Sequence, residues 1–266
     1  MTQASERDLI FVVERYYSAL MTHAAPDAAG GESGLGGQLF YAGELNDEGR
    51  AVIIAANVAG AASLSICVDP AAQKAAIRDG IVDFVVTNLD EALRILKNEI
   101  RKRQPVAVCL AQGREGIELE MIERGVQPDL VVRPLPGHPR PSEQMEPVAR
   151  PLIVPPEPTD LAIVTWGLEK GPALWMPKID AIAAACMEPD EAAARRWLKL
   201  GGRYLGRLAR GLRVAHCRPE SARRAAGQIR AAVEDGRIGV PVRLCLDLPG
   251  EPTFVYEPVP PTERPM

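Results

Sequence analysis

The residues best placed for chemistry are two glycines, Gly43 and Gly49, which frame the turn GELNDEGRA. An apolar run precedes this turn, an alanine-rich stretch follows it, and a second apolar run leads to Asp69. Strand, glycine-bearing turn, helix and strand in that order is the layout of a nucleotide site. Glycine lets the backbone approach a phosphate, and a helix N-terminus presents unpaired N–H groups to it. Other candidates are sparser. His138, in a proline-rich stretch, reads as a cofactor contact, a general acid or base, or an exposed imidazole. His216 beside Cys217 suggests a nucleophile pair, but neighbours on a strand point to opposite faces, which disfavours it. Cys67, Cys109 and Cys245 lie in apolar runs and read as small core residues. The five cysteines lack CxxC or Cys/His ligand spacing, so no metal site is expected. Arg203, Arg207 and Arg210 form an i, i+4, i+7 row, with Arg195, Arg196, Lys199 and Arg213 nearby. That row reads as a solvated face with acidic partners in preference to an anion clamp. Trp166, Trp175 and Trp197 read as core or subunit-interface anchors.

The elements that must position these residues follow from periodicity. Residues 5–22 carry apolar residues at helical spacing with Ser5 as a candidate N-cap. Residues 23–37 are rich in Ala, Gly, Pro and Ser and read as a connection, since no strand precedes them to make a phosphate loop. Residues 70–80 begin with proline and end with glycine, as a short helix does. Residues 83–87 read as a buried strand. Residues 89–103 read as an amphipathic helix with Leu89, Leu93, Ile95, Leu96 and Ile100 on one side and Asn88 as its cap. A strand at 105–110, a helix ending at Gly125 and an apolar run at 129–132 follow. Strands separated by helices of this length imply crossovers and a parallel sheet. The expected fold is therefore an α/β, Rossmann-like doubly wound sheet, with ligands beyond the carboxyl ends of its strands.

Prolines crowd residues 133–158, which read as an extended loop or linker. A strand at 161–166 either closes the same sheet or opens an appended unit. Helices at 179–187, 189–210 and 219–234, a last strand at 240–246 and a proline-rich tail complete the chain. The expected domains are 1–37, an N-terminal helix and connection; 38–158, the Rossmann-like unit with its proline-rich loop; and 159–266, a helix-rich α+β extension. The net charge of −4 supplies no electrostatic drive toward nucleic acid or an anionic membrane. No run reads as a membrane span and the N-terminus does not read as a signal peptide, so the expected setting is reducing and cytoplasmic.

The segment from ICVDPAAQ to RGVQPDLVV is similar to the central Rossmann-like domain of urocanase (urocanate hydratase). Gly80 and Asp83 match its G-x-x-D step, Leu89, Asp90, Glu91, Ala92 and Leu93 match LDEAL, and Arg124, Gly125, Val126, Pro128 and Asp129 match RGV-x-PD. Ala42 and Gly43, and the AGA at 59–61, also fall where that domain has them. The likeness covers about residues 38–139. It implies a tightly held NAD used as an electrophile by a cytoplasmic, homodimeric lyase. Carried over by position, the cofactor contacts fall at Gly43 and Gly49, with Arg50 at the helix start, and at Gln112 and Gly113 in place of a GN turn. Asp69 substitutes for a ribose-gripping carboxylate that aligns with Cys67, and His138 is what remains of a polar loop against the cofactor. Asp47 and Glu48 place negative charge where a diphosphate would lie. The family's N-terminal region and its C-terminal region with the catalytic cysteine motif have no counterpart, so no catalytic residue is assigned. Two functions are expected: a divergent, non-catalytic oligomeric scaffold without urocanate hydratase activity of its own, or an NAD- or nucleotide-binding lyase for a small anionic substrate.

Overall fold

The structure is a computed structural model that describes residues 3–24, 34–132, 149–154, 160–206 and 211–261. Two compact units divide the chain, one of Arg15–Pro155 and one of Met1–Glu14 with Pro156–Met266. Helix α1, Gln3–Met21, contributes its first part to the latter and its remainder to the former.

The Arg15–Pro155 unit is built on six strands: β1 Leu39–Glu44, β2 Ala62–Ile66, β3 Phe84–Val86, β4 Val106–Leu110, β5 Leu130–Val132 and β6 Arg150–Leu152. They lie in the order β3-β4-β2-β1-β5-β6, and every neighbouring pair is parallel. β2 and β4 are buried at every residue, as expected for central parallel strands with both faces covered. Helix α2, Asp47–Ala59, joins β1 to β2. It carries no charge after Arg50 and is buried from Ala51 onward, the composition of a helix enclosed on all sides. Helix α3, Pro70–Arg78, precedes β3. α4, Leu89–Lys102, and α5, Arg114–Glu123, flank β4 in sequence. Leu89, Leu93 and Leu96 of α4 join Ile117 and Met121 of α5 in one cluster over Tyr41, Leu64 and Val108 of the sheet. Each such aliphatic side chain contributes roughly 1.5–3 kcal/mol when fully buried.

Two aspartates of the urocanase-like pattern fix this sheet. The Asp83 carboxylate accepts from the Ala107 N–H at 2.8 Å at the start of β3, and the Asp129 carboxylate accepts from the Leu39 N–H at 2.7 Å at the start of β5. Arg124 bonds Glu120 at 2.8 Å and reaches Asp90 on α4, so the matched Arg124 and Asp90 tie α5 to α4.

Two sequence expectations are corrected here. β3 is an edge strand with Phe84 exposed, where the apolar DFVVT had suggested a buried one. β6 lies inside the stretch read as a loop; its Pro151 donates no hydrogen bond, which an edge strand tolerates, and so the proline-rich composition hid it.

The other unit holds β7 Ala162–Gly167, α6 Pro172–Ala185, α7 Ala192–Leu205, β8 Leu212–Cys217, α8 Pro219–Glu234, β9 Arg243–Asp247 and β10 Phe254–Tyr256. Its sheet has the order β10-β9-β7-β8, antiparallel throughout. β7 therefore opens a second sheet and does not extend the first. Sequence reading started α6 at residue 179, past Pro177, but the helix begins at Pro172. Pro177 sacrifices one backbone bond, and burial of Met176, Ile179 and Ala183 offsets it. β10 falls in the stretch read as tail, too short and too isolated in the sequence to show periodicity.

Candidate functional site

β1 is the point where the connections diverge, β2 lying on one side of it and β5 on the other. In an open parallel sheet, that divergence leaves a crevice beyond the carboxyl ends of the strands. A crevice of about 100 Å³ opens there, bordered by Gly43 and Glu44 of β1, Asn46, Glu48 and Gly49 of the following turn and helix, and Arg114 of α5. This is smaller than the several hundred Å³ of an ordinary small-molecule pocket, and suits one phosphate-sized group.

Backbone shape explains the two glycines. The β1–β2 register shifts between Tyr41 and Gly43, a bulge that re-aims the strand end. Gly43 then takes φ +73°, in the left-handed region. At Gly49 a Cβ would lie 1.9 Å from the Glu44 carbonyl oxygen, so only glycine lets the start of α2 pack on the strand end. One N–H of the α2 N-terminus is satisfied internally, Asn46 Oδ1 accepting from the Gly49 N–H at 2.8 Å, and Asp47 and Glu48 occupy the first turn. Those carboxylates offset the helix dipole that would otherwise attract an anion. Glu48 also accepts from the Tyr16 hydroxyl, whose pKa is raised by burial and by this carboxylate.

Positive charge enters from α5. Arg114 Nε donates to Glu118 Oε1 at 2.7 Å, and the Tyr41 hydroxyl donates to the same oxygen at 2.8 Å. Glu118 is fully buried, and its Oε2 has no partner among the described residues. Burial, with Glu118 next, drives the Tyr41 pKa up, so the phenol remains a donor. Sequence reasoning missed this trio. The i, i+4 spacing of Arg114 and Glu118 was visible, but Tyr41 joins them across 77 residues of chain.

The remaining candidate contacts are distributed around the strand ends. Arg50 is in an ion pair with Asp79 at 2.8 Å, bracing α2 against the end of α3. Burial pushes the Asp79 carboxyl up, while hydrogen bonds from Arg50 and Arg78 outweigh it and hold the group below its usual range. Asp69 lies beyond β2 and not on that strand's face: it N-caps α3, accepting from Ala71 at 2.9 Å and Ala72 at 3.3 Å. Both carboxylate oxygens are thus engaged by backbone. Gln112 Nε2 donates to the Thr87 carbonyl, and Gly113 is the N-cap of α5, without a side-chain cap. His138, Arg207 and Arg210 lie outside the described residues. The crevice therefore offers a cation and close backbone, while Asp69, the expected substitute for a ribose-gripping carboxylate, is already bonded to the α3 N-terminus.

Elsewhere, His216 Nδ1 contacts the Glu14 carboxylate and is not turned toward Cys217. Arg213 is buried in an ion pair with Asp180 at 3.1 Å, and the Trp166 indole N–H donates to Asp180 at 3.0 Å. Trp166 and Trp197 are core residues, as the sequence suggested for the tryptophans. Among the described residues no group of three His, Cys, Asp or Glu side chains could hold a metal ion, and no helix is long and apolar enough to cross a membrane. Comparison with known families matches residues 12–139 to the urocanase Rossmann-like domain.

Proposed function

We propose, from the premise that residues 12–139 are a urocanase Rossmann-like domain, that this chain binds a phosphate-bearing nucleotide, NAD being the first candidate, and does not by itself hydrate urocanate. The crevice beyond β1 and β5 carries this reading. It unites the β1 bulge, the left-handed Gly43, the close packing at Gly49 and the guanidinium of Arg114 at the place where open parallel sheets hold ligands. Gly43 would admit the phosphate to the backbone, with Gly49 letting α2 pack close beside it and Gln112 and Gly113 beyond the end of β4, two strands away. When bound, NAD would supply an electrophilic ring; the described residues furnish its binding and orientation and no assigned acid or base. A small anionic substrate and a hydratase-like lyase reaction are the chemistry that the family suggests. A cytoplasmic homodimer is the setting that goes with it.

The test is native mass spectrometry of freshly purified full-length protein, followed by denaturation and analysis of the released small molecules. A stoichiometric adenine nucleotide is expected. Protein that releases none, and that shows no heat of binding with NAD, would remove the reading.

A second reading is favoured by one observation: Asn46, Asp47 and Glu48 occupy the end of α2 that would otherwise face a diphosphate. On that reading the domain is a cofactor-free scaffold that works by self-association, helped by exposed Phe254 and Val255 on the edge strand β10. The same spectrum would then show an unliganded oligomer.

A further inference from the structure

We propose that Arg114 is the anion-holding residue of the β1/β5 crevice and closes the end of its guanidinium fork on one phosphate group. This rests on the crevice being a ligand site, and it replaces the helix N-terminus by a side chain as the source of positive charge. Among the described residues lining the crevice, Arg114 is the one cation. The neighbouring helix end has no such role, because Asn46 satisfies the Gly49 N–H and Asp47 and Glu48 oppose an anion.

The side chain is already oriented. Nε is fixed to Glu118 Oε1 at 2.7 Å, and Tyr41 holds that same oxygen at 2.8 Å from the strand. The two terminal nitrogens have no hydrogen-bond partner among the described residues. Nη2 lies over the end of β1, 3.8 Å from where a Cβ on Gly43 would stand. A guanidinium gripped through Nε presents its remaining N–H groups as a fixed fork, the geometry that matches two phosphate oxygens. A purely stabilising role is a poorer account, since a buried ion pair is weak evidence for stability, and Glu118 Oε2 is left unmatched.

The shared chemistry is a phosphate group, whether on a nucleotide or free. Calorimetry on the full chain with NAD, AMP and inorganic phosphate separates these sources. Wild type is expected to bind at least one of the three, and R114Q to bind it about tenfold or more weakly. R114K should recover part of the loss, because it keeps the charge and loses the fork. Glu48→Gln, which removes a negative charge from the rim, should tighten binding by about threefold. R114Q leaves Glu118 buried without its cation, so the double variant R114Q/E118Q, checked by circular dichroism, supplies the reading if the single variant unfolds. Arg114-dependent binding of phosphate alone would uphold this inference and end the nucleotide reading. Nucleotide binding that R114Q/E118Q leaves within twofold, with no effect of E48Q, would overturn the inference and leave the nucleotide reading intact. Absence of binding by all three probes would overturn both.

Discussion

Gly49 and Gly43 look alike in the sequence, yet space and strain constrain them differently. A methyl group at Gly49 would collide with the Glu44 carbonyl, whereas at Gly43 it would make an ordinary contact with Arg114 and the cost is the left-handed φ. Gly49→Ala should therefore lose about 3 kcal/mol or more in urea unfolding, and Gly43→Ala about 1–2 kcal/mol. Equal losses would mean that α2 shifts freely away from the strand. A second residue-scale prediction concerns Asp180. Burial raises its carboxyl from the usual 3.8 to about 6, against the pull of Arg213 and Trp166. The native state then binds more protons than the unfolded chain between those values. Asp180 thus contributes most stability below about pH 4, and the contribution falls as pH rises through 6, by roughly 3 kcal/mol in all. The stability difference between wild type and Asp180→Asn should fall by that amount from pH 4 to pH 7. A flat difference would show that Arg213 keeps the carboxylate ionised throughout.

Among the elements, the ends of helices decide what a polar residue can do. Asp69 reads from the sequence as a substitute ribose ligand, and the structure gives it to the α3 N-terminus. Asp69→Ala should cost about 1 kcal/mol of stability. If nucleotide affinity is unchanged in that variant, the cap is its whole role; a tenfold loss of affinity would return it to the ligand site. Helix α4 was legible because apolar spacing and the Asn88 cap agree. β6 and β10 were not legible, since three residues set no period and their pairing partners are distant in sequence. The urocanase-like residues prove to be mostly structural. Asp83 and Asp129 begin strands, Arg124 ties α5 to α4, and Gly80 and Gly125 take positive φ at helix ends. Their roles lie in the sheet and the helix ends, whatever the crevice holds.

For the whole molecule, all three tryptophans lie in the unit of Met1–Glu14 and Pro156–Met266, so indole emission reports that unit alone. Asp180→Asn should therefore move the emission transition in urea, while Gly49→Ala should move far-UV circular dichroism more than emission. Coincident transitions in both variants would mean that the chain unfolds as one cooperative block. The amino-acid sequence by itself determined the parallel α/β layout, the order of its central elements and the family likeness, because those depend on periodicity, caps and turn residues close together in the chain. Tertiary structure alone decided that β7 opens an antiparallel sheet, that Asp69 is spent on a cap, and that Tyr41, Arg114 and Glu118 meet at the β1 and β5 ends. Those outcomes depend on which strands become neighbours, and strand pairing joins residues that no local pattern connects.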